Sequence, residues 1–257
     1  NKIVFRDEPA MQYAYQKSEG TRYGEFYGYI AEGYFQSEEE IKKSPRQMRE
    51  LAPGDIKYKD LNDDGVIDAN DQCYLGKSWF PSWSYGMGFN INYHNFDLAL
   101  FFQGVSDVSI MANGGSIDTG NGDWGASGVG IVPFTGMGLN PSNVITKALD
   151  RWTADNPRAD AWYPRMTANA TTNDNNYVNS THWLKDGSYL RLKQASLGYT
   201  LENKKLMDKG IEYLYFYLSG QNLLTFSKFK LWDPELGSNG AKYPLSRMVT
   251  LGMRVSF

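Results

Sequence analysis

The chain has 257 residues, with 26 basic against 29 acidic side chains and a formal net charge of -3. That length allows one large domain or two ordinary ones and forces no covalent staple. The charge balance excludes the cationic footprint of a nucleic-acid binder, the single cysteine excludes an intrachain disulfide, and two histidines exclude a multi-histidine metal centre. Aromatic residues reach 15%, yet mean hydropathy is -0.52, so much ring surface is spread through a polar chain. The longest apolar runs, such as 96–102 with Asp97 inside it, fall far short of the ~20 residues a membrane helix needs. Residues 1–6 contain no signal-peptide core. The chain is therefore expected to be either cytosolic or a segment whose export signal lies elsewhere.

In chain order, the first element is a short helix. Ser37-Glu38-Glu39-Glu40 has the form of a capping box, with Ser37 as N-cap and Glu40 reaching back. The helix is expected to run toward Met48, with Pro45 disturbing it.

Next comes the sharpest local motif, residues 60–71. Asp60, Asn62 and Asp64 place side-chain oxygens at positions one, three and five, and Gly65 permits a sharp turn. Val66 offers a backbone carbonyl, Ile67 points inward, Asp68 acts directly or through water, and Asp71 closes the cage. Hard oxygen donors on a flexible loop suit Ca²⁺ better than Mg²⁺. The loop departs from an EF-hand at position twelve, where the shorter Asp71 replaces glutamate, and it lacks flanking helices. A structural brace is the expected role, because no nucleophile or base stands beside it. The competing reading is an unliganded Asp/Asn turn.

Strand patterning follows. Tyr85, Met87, Phe89, Ile91 and Tyr93 alternate with Gly86, Gly88, Asn90 and Asn92. His94-Asn95 makes a two-residue connection, with Asn95 suited to positive φ. Residues 96–102 continue the alternation, so the pair is a predicted β-hairpin. A long Gly/Asn/Asp-rich stretch over 106–181 holds one helical candidate at 142–152. A strand over 189–201 alternates in its later half, but Arg191 and Lys193 break the pattern in its earlier half. A turn or two of helix near 202–207 leads to a strand over 211–224. A second long polar stretch, 227–247, precedes a final strand whose apolar set is Val249, Leu251, Met253, Val255 and Phe257.

Long polar segments at one end of the strands and tight turns at the other mark an outer-membrane barrel. If the last strand ends in the periplasm, residues before Trp83, residues 106–188 and residues 227–247 all fall outside, while 94–95 and 201–210 fall inside. All the long segments thus share one side. The alternative from pattern alone is a secreted, calcium-braced β-sandwich that binds carbohydrate. A calcium-dependent glycoside hydrolase would need paired carboxylates that no spacing identifies.

Trp79 and Trp83 suit an interfacial aromatic girdle. Trp124, Trp162, Trp183 and Trp232 lie in the long segments and are candidates for stacking on sugars, against the plainer reading of loop packing. His182, near Asp186 and Ser188, shows no triad spacing and reads as a loop histidine. No enzyme signature emerges.

Several stretches carry a family resemblance. Pro53-Gly-Asp-Ile-Lys-Tyr-Lys-Asp-Leu-Asn-Asp-Asp-Gly-Val-Ile-Asp68, Phe96-Asp-Leu…Phe-Phe-Gln-Gly104 and Trp183-Leu-Lys-Asp-Gly-Ser-Tyr-Leu-Arg-Leu-Lys193 resemble hallmarks of SusC/RagA-type TonB-linked outer-membrane proteins of Bacteroidetes. Leu197-Gly-Tyr-Thr-Leu201, Ser219-Gly-Gln-Asn-Leu-Leu-Thr225 and Asp233-Pro-Glu235 match as well, in order. The resemblance is to the family's C-terminal portion over residues 1–257, without the plug domain. It implies an all-β fold: a segment of a large antiparallel transmembrane barrel of about 22 strands, of which this chain supplies about six to eight, with long extracellular loops and a few short helices. The acidic loop at 60–71 would lie in an extracellular segment. The implied activity is not enzymatic but import of oligosaccharides or peptides. The implied partners are TonB through the absent plug side, a SusD-like surface lipoprotein, the rest of the same barrel and outer-membrane lipid. Phe257, on the apolar parity, resembles the signal read by outer-membrane assembly machinery.

Overall fold

The computed structural model describes residues 1–113, 145–166, 175–240 and 242–257. The chain divides into two compact units: a sheet unit of residues 81–107, 187–230 and 243–257, and a loop unit of residues 1–80, 108–186 and 231–242. Each is described by itself.

The sheet unit is one antiparallel sheet of five strands: β5 (Trp83–Tyr93), β6 (Phe96–Ser106), β9 (Tyr189–Leu201), β10 (Tyr213–Ser227) and β11 (Met248–Ser256), in the order β11-β10-β9-β6-β5. Their lengths of 9 to 15 residues meet or exceed the 9–11 a tilted strand needs to cross a bilayer. Between β5 and β6 the paired residues Tyr93 and Phe96 close a two-residue turn. The positive φ falls on His94 (52°), not on Asn95 as expected.

The register explains why Arg191 and Lys193 seemed to break the alternation. Against β6, β9 carries one extra residue between Gln194 and Leu192; against β10 the extra residue lies in β10, between Gln221 and Leu224. An extra residue flips the parity beyond it. Leu190 and Leu192 therefore join Ala195, Leu197 and Tyr199 on the apolar face. Arg191 falls on the other face with Gln103 and Thr225.

The same register carries one apolar face across all five strands. Ile91 pairs with Leu98, Leu98 with Leu197, Leu197 with Leu218 and Leu218 with Leu251. Asn92, Asp97, Gly198, Tyr217 and Gly252 run along the opposite face in the same way. On that polar face the glycines make room for rings: a Cβ on Gly198 would lie 2.2 Å from the Tyr215 hydroxyl, and one on Gly252 would lie 2.3 Å from the Tyr217 ring. Tyr215 in turn donates a hydrogen bond to Asp97 at 2.9 Å.

The apolar face is not covered by a second sheet within this unit. Ile91, Leu197, Leu218 and Leu251 are 55, 46, 48 and 80% exposed. A sandwich would bury these residues, so the sandwich expectation fails here.

The loop unit contains the short elements. β1 (Glu25–Gly28) pairs with β4 (Cys73–Ser78), β2 (Ala31–Tyr34) with β3 (Ile56–Tyr58), and β7 (Ser109–Met111) with β8 (Leu184–Asp186). The helix α1 (Glu38–Lys43) has Ser37 accepting the Glu40 amide at 3.2 Å. The Glu40 carboxylate reaches back one residue further than expected, to the amide of Gln36. The helix ends at Lys43, before Pro45, rather than near Met48, because the ring of Pro45 and its missing N–H cannot extend it. The candidate at 142–152 is one 3-10 turn, Thr146–Leu149, as far as it is described. The candidate near 202–207 is α2 (Lys204–Met207), in the sheet unit.

A largely aromatic core organises the loop unit. Tyr29, Tyr34, Tyr58, Trp152, Tyr163 and Trp183 are all buried in it. Burying hydroxyls and indole N–H groups requires partners. Tyr58 donates to the Asn175 carbonyl at 2.6 Å, Tyr34 to that of Ala161 at 2.8 Å, and the Trp183 indole to that of Asn176 at 2.7 Å.

Candidate functional site

The acidic loop is built by short-range side chain to backbone bonds. Asp60 Oδ2 accepts the Gly65 amide at 2.8 Å, Asn62 Oδ1 accepts that of Asp64 at 3.1 Å, and Asp64 Oδ1 accepts that of Val66 at 2.8 Å. These bonds fold the chain back at Asp63 and Gly65, both with positive φ (58° and 82°). Ile67 is the inward anchor, 1% exposed, with its amide donating to the Arg46 carbonyl at 2.8 Å. Asp68 caps the 3-10 turn Ala69–Asp71, accepting the Asn70 amide at 2.7 Å. Asp71 is fully buried, and its two oxygens accept the amides of Leu61 (2.7 Å) and Asp68 (2.9 Å). It pins the start of the loop to its end.

The donor chemistry suits a hard cation. Each carboxylate oxygen can accept more than one bond, and Asp60 Oδ1 is buried without a hydrogen-bond partner. Among the described residues, however, no three His, Cys, Asp or Glu side chains stand grouped as metal ligands. The loop holds its shape through its own amides.

Of the candidate stacking tryptophans, Trp183 has no ring face to offer. It is 0% exposed and enclosed by Tyr177 (stacked, centroids 5.3 Å), Trp162, Tyr163 and His182. Trp162 packs edge-on against Trp183 and Tyr163 and lies 5.3 Å beneath the Lys185 ammonium. Trp232 donates to the Gly237 carbonyl at 2.8 Å and occupies the space a Gly240 side chain would need. For Trp183, loop packing is the role the geometry shows. Trp124 lies outside the described residues. Phe257 follows β11 by one residue and is exposed.

His182 sits in this cluster, not on an open loop. Its Nε2 lies 3.1 Å from the Trp162 carbonyl, which can only accept, so Nε2 carries the proton. Burial, and then the nearby Lys185 ammonium, push its pKa down to about 4 against the pull of that hydrogen bond. Burial likewise lowers the pKa of Lys185, whose ammonium donates to the His182 carbonyl at 2.7 Å.

A buried polar bracket went unmarked in the sequence. Asp55, 1% exposed, pairs with Arg165 (Nε to Oδ1 2.6 Å, Nη2 to Oδ2 2.9 Å) and accepts from Asn176 at 2.7 Å. Asn176 also accepts the Ile56 amide at 2.9 Å, and Gln47 bridges Asn175 and Tyr58. Together they stitch β3 to residues more than a hundred positions away. The only signal was a pair of asparagines in an Asn-rich stretch.

No family model matches the chain. It is 30% identical over 241 residues to the TonB-dependent receptor P26 of Formosa agariphila, a match covering 88% of this chain and 22% of that receptor. It is 28% identical over 255 residues to the TonB-dependent receptor P3 of the same organism, covering 93% and 22%. The RagAB peptide importer in its open-open state aligns with all of this chain and 25% of its own, with a TM-score of 0.63 at 22% identity. The closed-closed state aligns with 91% and 23%, with a TM-score of 0.61 at 23% identity. The chain thus spans about a fifth of the length of the curated relatives it matches. Motifs, strand parity and these matches together place the chain with the TonB-dependent receptors, as a segment of a Bacteroidetes outer-membrane β-barrel.

Proposed function

We propose that this chain forms part of the wall and the extracellular surface of a TonB-dependent importer that takes up oligosaccharides or peptides with a SusD-like surface lipoprotein. The observation that carries this reading is the two-faced sheet: exposed and apolar on one side, polar on the other, continuous across five strands and through the register shifts in β9 and β10. Lipid is the solvent that suits the first face and an aqueous lumen the second. The free edges of β5 and β11 would pair with the remaining strands of the same barrel, since an open edge cannot stand in lipid.

The register supports the placement of the loop unit outside the cell. Trp83 pairs with Ser106, Val105 with Tyr189, and Tyr189 with Ser227, so every segment of the loop unit leaves from the same strand ends. The turn at 94–95 and the connection through α2 lie at the other ends. A lipoprotein lid and the cargo would meet the first set. RagAB is a peptide importer; the cargo proposed here is a peptide or a glycan. We further propose that Ca²⁺ braces the 60–71 loop, held by Asp60, Asn62, Asp64, Asp68, Asp71 and the Val66 carbonyl.

Uptake of labelled oligosaccharides and peptides by cells carrying the full-length protein tests the import role. Uptake is expected to stop when TonB or the lipoprotein is removed. Uptake that persists without TonB, or a full-length protein that stays monodisperse without detergent, would overturn the reading.

A further inference from the structure

The apolar face of the sheet has an edge that the strand register makes visible. One row runs through Tyr93, Phe96, Tyr199, Phe216 and Met253, each paired with the next across all five strands. It follows the row of Ile91, Leu98, Leu197, Leu218 and Leu251 in the direction of the turn at 94–95. Four of its residues are aromatic, against none in the aliphatic row before it. Phe96 and Tyr199 touch, with ring centroids 4.7 Å apart, and Tyr93, Phe96 and Phe216 are 70, 49 and 39% exposed. Exposed rings that close an apolar strand face mark the level where hydrocarbon gives way to headgroups.

One step further lies the connection from β9 to β10. Leu201 pairs with Leu214 two residues beyond Tyr199 and Phe216. Two strand residues span about 7 Å, and less along the membrane normal when the strand is tilted. A headgroup layer is about 5–8 Å deep. Residues 202–212 therefore leave the sheet at headgroup level.

That connection is cationic. Lys204, Lys205 and Lys209 are exposed, against Glu202 and Asp208, and among the described residues none of the three forms an ion pair. Met207, between them, is 52% exposed. The backbone is already closed. Asn203 Oδ1 accepts the Lys205 amide at 2.9 Å, the Met207 and Asp208 amides donate to the Asn203 and Lys204 carbonyls at 3.1 and 3.0 Å, and the Ile211 amide returns to the Leu206 carbonyl at 3.0 Å. A surface ordered in advance loses little entropy when it binds.

Exposed lysines alone name no partner. Their level and Met207 do. At the membrane surface the lysine stems lie along apolar material while the ammonium groups reach phosphate oxygens. An exposed methionine beside them gains by dipping toward the acyl boundary, as on an interfacial segment, and gains nothing from water.

We infer that the connection at 202–210 docks an anionic glycerophospholipid, its phosphate met by Lys204, Lys205 and Lys209 and its upper acyl chain by Met207. This rests on the lipid-facing sheet proposed above, and not on the cargo, TonB or the lipoprotein.

Native mass spectrometry of the full-length protein in detergent tests it, with phosphatidylglycerol and phosphatidylcholine as the two probes. Phosphatidylglycerol is expected to bind about tenfold tighter, a margin that shrinks as ammonium acetate is raised. Lys204→Gln/Lys205→Gln/Lys209→Gln should remove most of that margin without changing the melting profile. Lys42→Gln/Lys43→Gln, two exposed lysines on α1, should keep it. Equal binding of the two lipids by the wild type, an intact margin in the triple variant, or an equal loss in the α1 variant would overturn the inference. Heat-modifiable migration and detergent dependence of the same wild-type sample report the barrel itself. A sample that shows both and still ignores phosphatidylglycerol sinks the lipid site and leaves the barrel standing.

Discussion

The sheet unit and the loop unit draw on the same aromatic-rich composition and spend it differently. In the sheet, Phe89, Ile91, Leu197 and Leu251 point outward and stay exposed, and the strands are held by a ladder of backbone hydrogen bonds. In the loop unit, Tyr58, Tyr163 and Trp183 are buried, and buried side-chain amides and carboxylates hold the backbone where ladders are short. The first arrangement needs lipid to be stable; the second carries its own core. A substitution that harms one should therefore spare the other.

The largest effect is expected in the loop unit. Asp55→Ala removes the partner of Arg165 and three hydrogen bonds at a fully buried site. Leaving a cation and donors unpaired costs about 3–5 kcal/mol. Hydrogen exchange of the full-length protein should show amides around Ile56 and Trp183 losing protection while β9 and β10 keep theirs. Equal loss in both units would mean that they unfold as one.

The converse substitution is Leu197→Arg, at the centre of the apolar face. A cation there costs about 2–4 kcal/mol near the bilayer midplane. Ser196→Arg, one residue away on the polar face beside Ala99 and Ser219, should cost little. The measurement is heat-modifiable migration of the full-length protein recovered from outer membranes. Equal yields of the two variants would refute the assignment of faces.

This pair of tests also shows what was legible in the sequence. Alternation with period two exposes the sheet because each strand repeats one rule, and only the β9 bulge, which no local residue announces, hid the parity of Leu190 and Leu192. The loop unit has no period to read. Asp55 finds Arg165 and Asn176 about 110 and 121 positions away, and Trp183 looked like a ligand platform because a loop position says nothing about what folds over it. The acidic loop was legible because all its bonds are local.

His182 gives a smaller, pH-dependent contrast. Its folded pKa of about 4 lies below the ordinary 6.5. The unfolded chain therefore takes up a proton first as pH falls, and the stability gained by burying neutral imidazole is lost between about pH 6.5 and 4. The loss is on the order of 2–3 kcal/mol, confined to the loop unit. His182→Gln should flatten the pH dependence of exchange near Trp183 across that window. A wild-type protein whose loop unit is equally protected at pH 7 and pH 4.5 would contradict it.

The smallest effect separates a metal loop from a self-sufficient turn. If Ca²⁺ braces residues 60–71, calcium at ten times its Kd adds about 1.4 kcal/mol to the loop unit and nothing to the sheet. Asp60→Asn/Asp64→Asn is the informative variant, because asparagine keeps an oxygen for the amides of Gly65 and Val66 while removing two negative charges. Without metal, two fewer like charges should leave the turn as stable or slightly more so. With calcium, the wild type should gain protection around Ile67 and the variant should not. A wild type indifferent to calcium would leave the amide bonds as the whole explanation of the loop, and the buried Asp60 Oδ1 as a cost the turn bears alone.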